Sequence, residues 1–353
     1  LPSPAALAER EARGEPLTRA ELGVLLAYAK IVLFSDIVAS KVPDDAHFER
    51  DLLGYFPGKM TKKYASEIGS HRLRREIIAR VVANDLINRG GPSFVTRLQD
   101  ATGRAAHEVV RAFAVVRDGF DLPALYAEID ALDNRIDGQV QLDLYASVGR
   151  LVYAACAWDL KNGVDDQSLG DQIAALREAR RTLEPKLASL LPDFSRQRLD
   201  ERRQAFVRAG APEALAVRLA LADIGELIPD IALVARAAKA DLITTAKAYF
   251  AVSDAFRIGR IEDAVRAIPV TDYYDGLALT RATDTIGNAR RGIAVSALAA
   301  NGKSGEPVSA WLAAGGERVA KARERLQALT EGGDITVSRL SVASGLMSDL
   351  TAR

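Results

Sequence analysis

The run Leu73, Ile77, Ile78, Val81, Val82, Leu86 and Ile87, followed at once by Gly90-Gly91-Pro92, constrains the fold of this chain more than any other feature. Apolar residues at steps of one, three and four fit a period near 3.6 and leave little of the circumference polar. The segment beginning near Arg72 therefore reads as a helix in the centre of a helical core. Its end is equally specific, because glycine accepts the left-handed cap that closes a helix and proline cannot continue the hydrogen-bond ladder.

Upstream, Thr18 and Glu21 have capping-box spacing: the hydroxyl accepts from a first-turn N–H while the carboxylate reaches back to the N–H of the cap. A helix from about Arg19 to Ala39 follows, with Leu22, Leu25, Leu26, Ala29, Leu33 and Ile37 as its apolar stripe and Pro43 with Asp44-Asp45 ending it. Further helical patterns cover about 92–101, 105–118, 122–132, 138–161 and 168–190. The last is expected to break near Glu184, because Pro185 removes a backbone donor and its ring clashes with the Arg181 carbonyl. Aromatics are only 6% of the chain and Ala, Leu, Arg and Glu dominate, which favours helix over strand. With 48% hydrophobic residues in 353, a sizeable core can be buried, and the expected fold is all-α and multi-helical.

The chain also resembles itself. At an offset of 136 residues, Ala112, Val116, Asp118, Phe120 and Ala131 fall on Ala248, Val252, Asp254, Phe256 and Ala267. At an offset of 138, Leu52-Leu53 and Phe56 fall on Leu190-Leu191 and Phe194. These matches predict two helical pseudo-repeats, 17–163 and 167–302. After the loop Asn301–Pro307, a terminal pair of helices is expected over 303–353, whose Leu312, Val319, Ala322, Leu326 and Leu329 form a seam that packs inside the domain.

Charge and apolar runs exclude several classes of partner. Lys plus Arg equals Asp plus Glu at 47 each, so no long-range positive field favours nucleic acid. The longest apolar runs, such as Leu151–Trp158 and Ile293–Ala300, are far short of the roughly 20 residues of a membrane span, so no membrane is expected. A single cysteine, Cys156, cannot form an internal disulfide, and no charged-then-apolar leader opens the chain; the cytoplasm is the expected compartment.

Motifs that could carry chemistry are few. There is no Gly-x-Gly to cradle a dinucleotide, and Gly302-Lys303-Ser304 lacks the glycine that a phosphate loop needs at 297. His47, His71 and His107 have no second ligand at helical spacing, so surface or capping roles are expected and no metal site. Asp44-Asp45 with Asp51, and Asp165-Asp166 with Asp171, are reminiscent of the acidic pairs that hold magnesium diphosphate in helical enzymes. Here they sit at helix starts, where carboxylates satisfy free N–H groups and the positive end of the helix dipole. Arg72, Arg74 and Arg75 stand near a helix N-terminus, an unfavourable place for cations, and are read as a possible interdomain or intersubunit contact. Asn84 and Asn88 fall on the apolar face and are expected to hold the Gly90-Gly91-Pro92 turn or a neighbouring helix end. Trp158, Trp311, Tyr273 and Tyr274 are expected to pack in the core or between domains.

Three runs, PLTRAELGVLLAYAK (Pro16–Lys30), DLLGYFP (Asp51–Pro57) and HRLRREIIARVVANDLINRGGPSFVTRLQDATG (His71–Gly103), resemble the C-terminal region of the large bacterial NAD-specific glutamate dehydrogenases. The first residue is Leu1 and not methionine, which fits a piece of a longer polypeptide. The resemblance implies a parent that oxidises L-glutamate to 2-oxoglutarate and ammonia with NAD, assembled as a homo-oligomer of very long subunits. It also implies that the dinucleotide fold and catalytic lysines lie upstream. This segment is then expected to hold no catalytic, cofactor-binding or metal residue, and to act as a helical scaffold for the catalytic core of the same polypeptide or a neighbouring subunit. The alternative is an independent helical adaptor that binds another protein.

Overall fold

The computed structural model describes residues 3–163, 167–270, 272–301 and 306–351, and every regular element among them is helical. The chain forms two compact units, Leu1–Arg177 and Glu178–Arg353. The first contains α1 (Pro4–Ala12), α2 (Arg19–Ala39), α3 (Glu49–Gly54), α4 (Gly58–Gly69), α5 (Arg74–Gly90), α6 (Phe94–Thr102), α7 (Ala106–Gly119), α8 (Leu122–Asp130) and α9 (Gly138–Asn162). The unit boundary falls inside α10 (Leu169–Leu183). The second unit continues with α11 (Leu187–Leu190), α12 (Asp193–Arg208), α13 (Glu213–Ala222), α14 (Leu227–Ala238), α15 (Leu242–Ala255), α16 (Ile258–Val265), α17 (Tyr273–Asn301), α18 (Pro307–Ala314), α19 (Gly316–Glu331) and α20 (Val337–Thr351).

Local signals set these boundaries as expected. Thr18 and Glu21 make both bonds of the capping box, the Thr18 N–H donating to Glu21 Oε2 at 2.7 Å and the Glu21 N–H to Thr18 Oγ1 at 3.3 Å. Gly91 closes α5 at φ +85°, its N–H bonded to the Ile87 carbonyl at 2.9 Å. At Pro185 the helix gives way to a 3-10 turn, Glu184–Lys186, before α11.

Packing redistributes the central roles. The helix beginning at Arg74 buries Ile78, Val82, Leu86 and Ile87, yet α7 lies deeper: every residue from Ala112 to Gly119 is buried, Arg117 and Asp118 included. Gly119 is required by a close approach, since a Cβ there would lie 2.4 Å from Leu176 Cδ2 and 2.8 Å from its Cγ on α10. A Gly119→Ala variant should therefore lose ~1–3 kcal/mol through overpacking, read as a lower urea midpoint with an unchanged slope.

In α2 the predicted stripe is only partly buried. Leu33 and Ile37 are packed, together with Val24, whereas Leu22 is 45% exposed. In the second unit α20 packs along α17 and against α19, whose Val319, Ala322 and Leu326 are buried, so the predicted seam is internal. The terminal segment holds three helices rather than a pair, because Gly316, at φ +57°, breaks α18 from α19.

The two units share a succession of turns at the 136-residue offset. Gly103 (φ +70°) caps α6 and Lys239 (φ +52°) caps α14; Asp121 (φ +54°) precedes α8 and Arg257 (φ +58°) precedes α16. Lysine, aspartate and arginine rarely adopt this left-handed conformation, which costs a non-glycine residue roughly 1–2 kcal/mol.

Candidate functional site

The charged groups with most chemical potential lie in one buried cluster within each unit. In the first, Arg117 and Asp118 adjoin at the end of α7, only 5% and 2% exposed. Arg117 grips Asp51 with two parallel bonds, Nη1 to Oδ1 at 2.8 Å and Nη2 to Oδ2 at 3.0 Å, and donates through Nε to Asp118 Oδ1 at 3.0 Å. Asp85 Oδ2 approaches Nη1 at 3.4 Å. Asp118 in turn lies 2.6 Å from His47 Nε2, accepts from Arg50, and offers its backbone carbonyl to Arg177 Nε at 2.9 Å.

Burial alone would raise the Asp118 carboxyl, but bonds from His47 and Arg117 and the charges of Arg117 and Arg50 hold it well below the usual carboxylate range. Burial likewise works against the Arg117 cation, and Asp51 and Asp118 more than reverse it. Asp85 is raised, chiefly by burial, which outweighs the weaker pull of Arg117.

The second cluster is centred on Asp230, 3% exposed, which accepts from Tyr249 Oη at 2.5 Å and from Arg291 Nη1 at 2.5 Å. Arg290 lies over the Tyr249 ring, 4.4 Å from its centroid, and bonds Glu262 Oε1 at 2.9 Å. Glu226 completes the group. Burial and then the like charge of Glu262 push its carboxyl up to about 7, against the opposing pull of Arg266 and Arg290. A carboxyl poised near neutrality is what a general base needs, but substrate chemistry also needs a nucleophile, a metal or a cofactor cradle beside it. Here its surroundings are Glu262, Asp230 and two arginines, and among the described residues no group of His, Cys, Asp and Glu could hold a metal.

The acidic residues of the first unit do not converge on a shared cavity. Asp44 pairs with Arg75, Asp45 caps the His47 N–H at 3.0 Å and reaches Arg111 at 3.3 Å, and Asp51 is taken by Arg117. Each carboxylate has its own arginine, an arrangement that neutralises charge locally and leaves none of these three free for a metal. Asp171 belongs to a helix start, its N–H bonded to Ser168 Oγ at 3.1 Å. Asp165, Asp166 and the Gly302-Lys303-Ser304 segment lie outside the described residues.

Of the three arginines singled out, Arg75 works inside the first unit. Besides Asp44 it donates to the Val38 and Ser40 carbonyls at 2.8 and 2.7 Å, placing a cation at the C-terminal end of α2. Arg74 buries its Nε, and Arg72 is exposed.

Among the histidines, His71 accepts the Leu73 N–H at 3.0 Å as a cap and His107 is exposed, as expected, but His47 is a partner of buried Asp118. Asn88 is exposed and Asn84 half-buried, and neither holds the Gly90-Gly91-Pro92 turn, which its own backbone closes. Trp311 meets expectation by packing edge-on to Phe256 and bonding Ser296 Oγ at 3.2 Å; Trp158 is half-buried. Tyr274 does not, being 77% exposed; Tyr273 lies outside the described side chains.

Comparison with known proteins agrees on one family. A family model described as glutamate dehydrogenase, C-terminal, matches residues 14–349. An NAD-specific glutamate dehydrogenase of Pseudomonas aeruginosa is 36% identical over 299 residues, 84% of this chain and 18% of the relative. One of Halomonas elongata is 33% identical over 317 residues, 88% of this chain and 20% of the relative. One of Mycobacterium tuberculosis is 28% identical over 354 residues, 99% of this chain and 22% of the relative. The chain thus spans about a fifth of the length of the curated relatives it matches.

Proposed function

Because the chain belongs to the glutamate dehydrogenase C-terminal family, we propose that it is a non-catalytic helical scaffold for the catalytic core of an NAD-specific glutamate dehydrogenase. The parent reaction in this reading is oxidative deamination of L-glutamate to 2-oxoglutarate, with NAD, glutamate and every catalytic group held elsewhere in a long cytoplasmic polypeptide that assembles as a homo-oligomer. The observation that carries it is the internal pairing at the heart of each buried cluster, with Arg290 Nε in the second the one buried donor there that no partner takes. Arg117, Asp51 and Asp118, like Asp230, Tyr249 and Arg291, spend their donors and acceptors on one another. Groups bound in this way fix helices and are not available to a substrate. The match to a fifth of much longer relatives further favours a domain of such an enzyme over a separate adaptor.

We also propose the pseudo-repeats 17–163 and 167–302, followed by terminal helices over 303–353; the paired left-handed turns at Gly103 and Lys239 and at Asp121 and Arg257 support this reading. Arg72, exposed beside Arg74, is retained as an interdomain contact, whereas Arg75 is already engaged at the end of α2.

A ligand stabilises only a fold that binds it, so NAD and L-glutamate should leave the melting temperature of this chain unchanged at millimolar concentration. A concentration-dependent rise overturns the scaffold reading. Removing the segment from the parent should impair assembly or turnover while nucleotide binding survives.

A further inference from the structure

Helix α2 is long and apolar enough to cross a membrane, but exposed Asp36 stands four residues from Val32 and interrupts its open side. An apolar groove in the second unit carries no such carboxylate. It encloses about 1080 Å³, and one face of α17 forms its floor, where Gly292, Ser296, Ala299 and Ala300 recur at helical spacing. These small side chains leave the floor low, while α14, α18 and α20 all pack on α17 and rise around it. Leu233, Val319 and Leu350 line it from the surrounding helices. Most of its polar groups are spent on the protein itself. Trp311 Nε1 donates to Ser296 Oγ at 3.2 Å, Thr351 Oγ1 to the Ser348 carbonyl at 2.9 Å, and Arg291 Nη1 to Asp230 at 2.5 Å. Arg318 differs. Among the described residues it makes one hydrogen bond, a long one from Nη2 to the Leu350 carbonyl at 3.4 Å, and no ion pair.

We propose that this groove binds a fatty acid, a hydrocarbon chain ending in one carboxylate, with the carboxylate on Arg318 and the chain along the floor of α17. The guanidinium fork has donors to spare and matches a carboxylate in shape and charge. The apolar lining favours a chain, because each methylene taken out of water adds to affinity. What the lining lacks is equally selective. Among the described residues no aspartate or glutamate borders the groove, so an ammonium group placed there meets no counter-charge, and amino acids, L-glutamate included, are rejected. A dicarboxylate such as 2-oxoglutarate would need a second cation, and Arg291 is already bound to Asp230. A phosphate monoester carries nearly two charges and would leave one unpaired beside apolar walls. The inference goes beyond the scaffold reading, which assigns the segment no ligand.

The test is calorimetric titration of this chain with octanoate, decanoate and dodecanoate, each below its micellar concentration. One site per chain is expected, tightening about fourfold for each added methylene. Arg318→Gln should weaken dodecanoate about tenfold or more, because it removes a hydrogen bond to a charged group. Ala299→Trp sets a ring on the floor and should abolish binding. Both positions are exposed, so each variant should keep the helicity and melting temperature of the parent. In a Trp158→Phe chain Trp311 is the sole remaining tryptophan, and its emission should shift as dodecanoate saturates the groove. If Ala299→Trp fails to fold, Arg318→Gln and the Trp311 signal decide. Absence of saturable binding, an equal affinity for dodecanol or dodecylammonium, tighter binding of dodecyl phosphate, indifference to either variant, or displacement of dodecanoate by L-glutamate overturns the proposal.

Discussion

Replacing Arg117 with alanine is expected to destabilise the first unit by ~3–5 kcal/mol, enough to unfold a marginal domain. The size comes from what remains. Asp51 and Asp118 would be left as buried carboxylates facing each other, with only Arg50, His47 and the edge of Asp85 nearby. Hydrogen exchange resolved by peptide checks this, because loss of protection should concentrate in α3, α5 and α7 and spare α17 and α20. By contrast, Arg203→Ala, which breaks exposed pairs with Asp200 and Glu213, should leave the unfolding midpoint nearly unchanged. If the two variants prove equivalent, the Arg117 cluster does not hold the unit together. The same cluster sets the acid limit. Since the folded Asp118 carboxyl is depressed, its contribution is complete above the unfolded value of 3.8 and disappears as pH falls toward the folded value.

The second unit should respond to pH in the opposite sense. Glu226 titrates at about 7 when folded against 4.5 when free, so the folded state retains the proton more firmly. Stability from this group is complete below pH 4.5 and is lost as pH rises through about 7. Over that window the loss is roughly 3 kcal/mol, because each tenfold gain in proton affinity on folding is worth about 1.4 kcal/mol. Glu226→Gln keeps the shape and removes the charge, so it should raise the melting temperature at pH 8, leave it nearly unchanged at pH 4.5, and flatten the profile of the second unit between them. A wild-type unit equally stable at pH 5 and pH 8 contradicts the assignment. The windows do not overlap: Asp118 acts in acid, while Glu226 acts from mildly acidic to neutral pH.

How much of this was readable in the chain follows from the range of each interaction. The capping box at Thr18, the glycine stop at Gly91 and the break at Pro185 depend on groups within four residues, and all three stand where the residues placed them. The partners of His47 and Arg117 were not readable, because 71 residues separate His47 from Asp118 and 66 separate Asp51 from Arg117. A weak signal existed: arginine and aspartate stand side by side in an otherwise apolar stretch of α7, a pattern that demands partners if the helix is buried. Asn84 and Asn88 misled for the complementary reason, since periodicity assigns a face but does not say how far the neighbouring helix reaches.

Sequence by itself determined the all-α class, the approximate bounds of α2 and of α5 to α10, and the family, because periodicity, capping chemistry and contiguous runs are local and survive without knowledge of neighbours. Tertiary structure alone decided which charges are buried together, that α7 lies deeper than α5, and that α2 keeps Ile31 and Val32 uncovered. Burial and pairing are properties of surfaces brought together from distant parts of a chain, and no local pattern encodes which surfaces will meet.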